Sequence, residues 1–468
     1  MRGSDAFSWY MERDPTLRST VVAVVWLDRS PDWEVVKSKL DFTGRVVPLF
    51  RKKLLEPPGR LAPPRWTVDD AFDLSCHVHR IDALGSRSDQ AVVEFARQAA
   101  MTSFDRARPL WDTTLIDNLE GGRAALVMKL HHSLTDGIGG MQLALLLFDR
   151  DESGAPIDPM PEAPLGERVE PATLIRQSIA HNLGTVSTLA VEGLKKLLPT
   201  ARWVAVHPLS SLSAVVETVG SIGRTVAPVR KTLSPIMKAR GVARNLGMIE
   251  VPLADLKRAA REAGGTVNDA FLASVTGGLR RYHEKHDTDI DALRVTLPIS
   301  IRTPNDSMGG NRITLMRFPL HACDPDPATR IAEADRMCRR ARQERSLGLT
   351  DAIAGALNLL PSGAVGSMLK HVDFLASDVP GFDFPVYLGG ALVEKYISFG
   401  PTIGSSVNLT LLSYNGTCFV GVTTDSAAVP DQDLLVESLR EGFEEVLDLG
   451  GEHAPVRLPL SDQTRIAG

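Results

Sequence analysis

Two adjacent histidines stand three residues ahead of an Asp-Gly pair in the segment His131-His132-Ser133-Leu134-Thr135-Asp136-Gly137. A neutral imidazole titrates near 6.5, so it can take a proton from a hydroxyl around neutral pH without a large shift. If both histidines stay extended, their side chains point to opposite faces and only one readily reaches a shared substrate. One would then do the chemistry while the other supports it. Asp136 serves either as an orienting partner or as half of a structural ion pair. A metal site is not expected, because adjacent residues seldom converge on one ion and no further His/Cys set lies at ligand spacing. Core hydrogen bonding of both imidazoles is the competing structural reading; the attached Asp136-Gly137 and the upstream Pro109-Leu110-Trp111 weigh against it.

The elements around this segment must present it at a cleft. It is entered from a strand read over 123–130 and followed by Ile138-Gly139-Gly140 and a helix-forming run from Met141 to Phe148. A strand-turn-helix junction places side chains at a sheet edge. Earlier, the continuous run from Val21 to Trp26 reads as a strand buried on both faces, and 32–40 and 89–103 read as helices, which is alternating α/β order. Prolines 156, 159, 161, 164 and 171 interrupt any regular element over 151–171 and mark a linker. Beyond it, apolar residues from Ile175 to Leu197 recur at spacings of three and four and predict an amphipathic helix. Its apolar face packs on the protein's own core or, alternatively, on a partner or membrane interface. Between Thr218 and Ile249 lie Arg224, Arg230, Lys231, Lys238, Arg240 and Arg244 and no acidic residue, so an anionic surface could bind there, although a solvated basic face explains the run equally simply. In the last third, Asn415-Gly416 between β-rich runs predicts a hairpin, and 431–447 a closing helix. The reading is of two similar α/β halves, 1–150 and 246–468, joined by a linker and amphipathic helical region over 151–245.

Composition narrows the partners. With 468 residues and a net charge of -5 there is no general attraction to phosphate backbones, and nucleic acid is an unexpected partner. Cys76, Cys323, Cys338 and Cys418 are scattered and suit a reducing, cytoplasmic setting. The first residues lack the layout of a signal peptide, and about 18 consecutive apolar residues occur nowhere, so any membrane contact is expected to be peripheral.

Other segments have both structural and functional readings. Thr266-x-x-Asp269 resembles a capping box, so Asn268 and Asp269 serve either a helix start or the site. Pro380-Gly381 fits the central pair of a type II turn. Trp111 reads as a packed aromatic before a substrate contact. Cys76-His77-Val78-His79 alternates like a strand, its histidines structural or exposed.

The segment HHSLTDG matches the HHxxxDG signature of coenzyme A-dependent acyltransferases and peptide-synthetase condensation domains. Together with Pro109-Leu110-Trp111, Asn268-Asp269, Pro298-Ile299-Ser300-Ile301-Arg302 and Ser377-Asp378-Val379-Pro380-Gly381, in this order and over nearly the whole chain, it resembles the bacterial wax ester synthase/diacylglycerol acyltransferase family. The resemblance implies an α/β fold of two chloramphenicol acetyltransferase-like halves, with mixed sheets flanked by helices and a tunnel between them. It implies that His132 is the general base, with His131, Asp136 and Gly137 around it, and that Asp136 pairs with an arginine of the other half, for which Arg302 is the candidate. Asn268, Asp269, Pro109, Leu110, Trp111, Ser377, Pro380 and Gly381 are expected as structural support or substrate contacts, with the Pro380-Gly381 turn bordering the tunnel.

The implied reaction is direct acyl transfer from long-chain acyl-coenzyme A, a substrate rather than a cofactor, to diacylglycerol or a fatty alcohol at a membrane or lipid-droplet surface. Asn268 or backbone amides after Gly137 are candidate oxyanion donors. A carrier-protein thioester as donor and a non-catalytic lipid-droplet binding protein remain open alternatives. The chain departs from the family's SNVPGP at Asp378 and Phe382, which touches the turn's hydrogen bonding and the tunnel's width there; the opening DAFSWYMERDP is also shorter than the family's.

Overall fold

The computed structural model describes residues 1–57, 62–83, 85–154, 157, 159–169, 173–174, 176, 229, 231–302, 306, 308–344 and 369–460. The first half runs α1 (Gly3–Met11), β1 (Thr20–Leu27), α2 (Trp33–Val46), β2 (Lys52–Leu55), β3 (Arg65–Val68), β4 (Val78–Asp82), α3 (Asp89–Met101), β5 (Trp111–Asp117), β6 (Ala124–His131) and α4 (Gly137–Leu147). The β-branched run predicted as a buried strand is β1, interior along nearly its whole length. Asp32 starts α2 by accepting from the amides of Glu34 and Val35, and the helix continues to Val46, beyond the expected 32–40. The strand expected over Cys76–His79 starts only at Val78. His77 instead follows a 3-10 turn, its ring stacked between Phe72 and Trp111 with Nδ1 2.7 Å from the Trp111 carbonyl.

The second half runs β7 (Arg244–Pro252), α5 (Leu253–Glu262), α6 (Val267–Glu284), β8 (Ala292–Ser300), β9 (Ile313–His321), α7 (Pro327–Arg342), β10 (Phe374–Val379), β11 (Tyr387–Leu388), β12 (Ala391–Phe399), β13 (Val407–Tyr414), β14 (Thr417–Asp425) and α8 (Gln432–Leu447). Asn415 and Gly416 both take positive φ, the geometry a two-residue hairpin turn needs, and β13 pairs with β14 across them from Tyr414↔Thr417 to Val407↔Thr424.

Two mixed six-stranded sheets result, in the orders β11-β12-β1-β6-β5-β4 and β7-β14-β13-β10-β8-β9. Residues 246–468 are therefore not a self-contained half. β12 lies against β13 and β14 but pairs antiparallel with β1, Val22 facing Phe399 and Val25 facing Tyr396, so the later part of the chain completes the first sheet. Each sheet has its own buried core, and Phe382, Val386, Val393 and Phe399 belong to the first.

Where described, residues 151–169 form no helix or strand; the Glu167 amide donates to Val68 O at 3.1 Å, laying the linker along the β2–β3 hairpin. The amphipathic helix expected over 175–197 lies outside the described residues but for Arg176, as do Arg224 and Arg230 of the basic stretch. Two of its other members are occupied within the protein. Arg240 donates to the carbonyls of Gly404, Val372 and Met237, and Arg244 lies 3.3 Å from Asp425 and donates to Thr16 O.

Candidate active site

β6 is held between β1 and β5, with Thr20 opposite His131 and Trp111 opposite Leu130. The next residue leaves the strand, its position set by His132 N donating to Ser19 O at 2.8 Å. Strand alternation sends Met128, Leu130 and His132 toward one side, where all three line a cavity of about 770 Å³. His131 turns to the other side, edge-on to Trp9 and Phe104. The two rings have different neighbours, as strand alternation predicts, although His131 also borders the cavity.

Different surroundings give the two rings different states. The Ser133 amide donates to His131 Nδ1 at 3.1 Å, so that nitrogen carries no proton and accepts from Ser133 Oγ as well; the proton sits on Nε2, 3.3 Å from Glu12 Oε1. Glu12 also accepts from the Ser19 amide at 2.9 Å. Burial works to raise the Glu12 carboxyl, but His131, Ser19 and Arg106 together bring it below its usual range. His132 lines the cavity. Enclosure by protein lowers its pKa below 6.5, against smaller upward effects from a bond to its own carbonyl and from Asp136. Only Nδ1 is close enough to reach that carbonyl, which leaves Nε2 as the acceptor facing the cavity. The His132 ring is thus neutral at pH 7.

Asp136 is the pin between the halves. Oδ1 caps α4, accepting from the Gly139 amide at 2.7 Å; Oδ2 accepts from Arg302 Nη2 at 2.9 Å and from the Arg312 amide at 2.7 Å. Both side chains are buried, 1% exposed for Asp136 and 7% for Arg302. A parallel bridge from Thr135 to Gly310, with the Gly310 amide donating to Leu134 O at 2.7 Å, fastens the same loop to the second half. The two glycines are explained by contact: a Cβ on Gly137 would meet Val379, and one on Gly139 would meet Thr135 Oγ1 and the Arg302 guanidinium.

The remaining predicted residues scatter around this centre. Pro109 and Leu110 are buried, and the Leu110 carbonyl accepts from His131 N at 3.0 Å. Trp111 is packed, its Nε1 donating to Phe50 O at 2.8 Å, while its edge reaches the cavity. Asp269 closes a capping box with Thr266. Asn268 faces the cavity, its Nδ2 only weakly engaged with Cys338 Sγ at 3.5 Å. Ser377, Asp378 and Val379 line the cavity, but Pro380 and Gly381 lie beyond it.

The type II turn expected at Pro380-Gly381 is not formed, since that turn requires positive φ at Gly381 and none is present. Glycine is needed there because a Cβ would collide with the Ser413 carbonyl, toward whose Oγ the Gly381 amide donates at 3.1 Å. Phe382, where the resembled motif has proline, packs with Phe148 and Phe384 away from the cavity. Sequence reasoning missed Glu12, the Arg312 amide and Gly139. The first lies just past α1 and the second is a backbone group, so neither leaves a pattern near the histidines.

Among the described residues no group of His, Cys, Asp and Glu side chains could hold a metal ion, and no helix is long and apolar enough to cross a membrane.

Comparison with known proteins follows this geometry closely. Residues 1–271 match the wax ester synthase/diacylglycerol acyltransferase catalytic domain, and residues 309–447 match the WS/DGAT C-terminal domain. A Mycobacterium tuberculosis protein provisionally named a diacylglycerol O-acyltransferase is 32% identical over 98% of this chain and 93% of its own length; a second from that organism, named likewise, is 28% identical over 96% of each. Among solved structures, the wax ester synthase/diacylglycerol acyltransferase of Marinobacter aquaeolei superposes with a TM-score of 0.61 at 20% identity, covering 96% of this chain and 99% of that one. The first condensation domain of the calcium-dependent antibiotic synthetase gives 0.62 at 15% identity, over 98% of each chain. At these identities the solved structures speak to fold, and they bear out the expected two chloramphenicol acetyltransferase-like halves.

Proposed function

Because the chain belongs to the wax ester synthase/diacylglycerol acyltransferase family, it is an acyltransferase, and we propose that it passes an acyl group directly from coenzyme A to the hydroxyl of a lipid alcohol with His132 as general base. The observation that carries this reading is the His132 ring, neutral through enclosure and opening on a cavity that both sheets line. Nε2 takes the proton as the alcohol oxygen attacks the thioester carbonyl. The tetrahedral oxyanion then collapses, the C–S bond breaks, and the thiol leaves with the proton carried by His132. A thiolate leaves readily, so positioning, base catalysis and oxyanion donors suffice. The Ile138 amide at the start of α4 and Asn268 Nδ2 are the proposed donors, since both residues face the cavity.

The first-sheet wall, formed by Val21, Ala23, Leu40, Met128, Leu130 and Leu143, suits the acyl chain, because each methylene moved from water to such a surface contributes about 0.8 kcal/mol. Asp136, held by Arg302 and the Arg312 amide, keeps the base-bearing loop against the second half. Acceptors of the diacylglycerol or long-chain alcohol type are poorly soluble, so we place the reaction at a membrane or lipid-droplet surface. Incubation of the full chain with labelled oleoyl-coenzyme A, diacylglycerol and hexadecanol, without any carrier protein, tests the reading. Triacylglycerol or wax ester should form, and a folded His132→Ala protein with undiminished turnover would defeat the mechanism.

A further inference from the structure

Asp378, close to the end of β10, is exposed, and the surface it exposes lines the cavity. No hydrogen bond reaches it from any described residue, and the charged groups acting on it are Arg342 of α7, which attracts the carboxylate, and Asp269 of α6, which repels it. The next residue, Val379, packs where a Cβ of Gly137 would lie, so this end of β10 abuts the turn that carries His132. Asn268, Thr296 and Thr410 line the same wall.

We propose that Asp378 makes the cavity select acyl acceptors that carry a hydrogen-bond donor besides the hydroxyl being acylated, such as a glycerol monoester, over unbranched alkanols. The proposal rests on the reading of this cavity as an acyltransferase site. An ionised carboxylate accepts hydrogen bonds and offers none, so a second hydroxyl satisfies it, whereas an alkyl segment laid against it displaces water and returns no partner. Asparagine, which the resembled motif has at this place, both donates and accepts and is indifferent to the distinction. Asp378 is therefore a specificity determinant of this cavity.

Enclosure pushes its pKa up to about 6, so the selection depends on pH: neutral on the acid side, Asp378 becomes a donor and loses its preference. The other ionisable groups that face it or share its cavity, Arg342, Asp269, Arg317, Cys338, Cys418, His131, His132, Asp136 and Tyr396, are common to both acceptors, and their effects cancel in a ratio of affinities.

The test is equilibrium binding of 1-decanoylglycerol and 1-dodecanol to the full chain without acyl-coenzyme A. The wild type should favour the monoester, and Asp378→Asn should reduce the ratio of the two affinities by roughly tenfold, the size expected for one hydrogen bond to a charged group. A ratio unchanged by the substitution overturns the proposal. If the variant does not fold, the unaltered chain decides: the ratio should rise between about pH 5 and about pH 8, and a flat ratio overturns the proposal as well. Turnover of oleoyl-coenzyme A, measured separately, judges the acyltransferase reading, since a chain that transfers nothing still reports the binding ratio.

Discussion

On the first-sheet side the cavity meets Val21, Ala23, Leu40, Met128, Leu130 and Leu143; on the second-sheet side it meets Asn268, Thr296, Arg317, Asp378, Asn408 and Thr410. The first wall, where Thr43, Thr113 and Ser398 are among the few polar members, holds a ligand mainly by non-directional burial, which scales with chain length and tolerates any alkyl segment. The second mixes its polar residues with apolar ones such as Leu297, Ile299, Leu315, Leu375 and Leu412, and so adds directional bonds, which reward particular head groups and penalise those that leave polar atoms unpaired. An enzyme that joins a fatty chain to an alcohol needs both kinds of surface within reach of one base. His132 stands where they meet, with the Asp136–Arg302 pair holding the walls together.

Removing the meeting point should have the largest effect. His132→Ala is expected to lower turnover by about 10²–10⁴-fold while leaving the thermal melt in place. If rates fall only as far as the protein unfolds, the ring is structural. Separating the walls comes next: Asp136→Ala leaves Arg302 buried without its carboxylate and should cost about 3–5 kcal/mol in denaturant unfolding. Arg302→Lys, which cannot reproduce the guanidinium's simultaneous bonds to Asp136 and the Gly310 carbonyl, should lose part of that; unchanged stability and activity would show the pair to be idle.

Narrowing one wall alone should alter selectivity. Ala23→Leu intrudes into the apolar side and should reduce the kcat/KM of palmitoyl- relative to octanoyl-coenzyme A by roughly tenfold, the equivalent of about two methylenes. Equal losses for both donors would place the acyl chain elsewhere.

A smaller effect is expected behind the strand. Glu12→Gln keeps an acceptor near His131 but removes its charge, and should lower kcat roughly fivefold, about 1 kcal/mol, with little change in KM. A change confined to KM would remove Glu12 from the positioning of the histidine loop. Smallest is a displacement in pH: burial favours the neutral ring, so the acid limb of kcat/KM should fall below 6.5, with activity kept down to that point and lost beneath it. A limb above 6.5 would mean that His132 is more exposed than its surroundings here allow.

Much of this was legible from local pattern. The apolar run at 20–27 needed only β-propensity, the Asn415-Gly416 turn only its two positive φ values, and the Thr266–Asp269 box only its spacing. That the His131 and His132 side chains should diverge followed from the two-residue repeat of a strand, whereas His132 as the candidate base and Arg302 as partner to Asp136 came from resemblance. Pro380-Gly381 misled because a dipeptide that suits a turn also suits a strand end pressed against another backbone. The glycine answers to the Ser413 carbonyl, far away in sequence, and not to a local φ.

What the chain's order of residues determined alone is whatever depends on near neighbours: strand and helix starts, caps, the hairpin, and which imbalance of faces a histidine pair must show. What needed the folded molecule is everything made by surfaces that meet from afar. β12 joins the first sheet from residues 391–399, Glu12 reaches His131 from the end of α1, the Arg312 amide donates to Asp136, and two unlike walls enclose one cavity. Such contacts are chosen by the packing of whole sheets, where burial and hydrogen-bond satisfaction are settled jointly for the chain, and no short stretch of sequence encodes them.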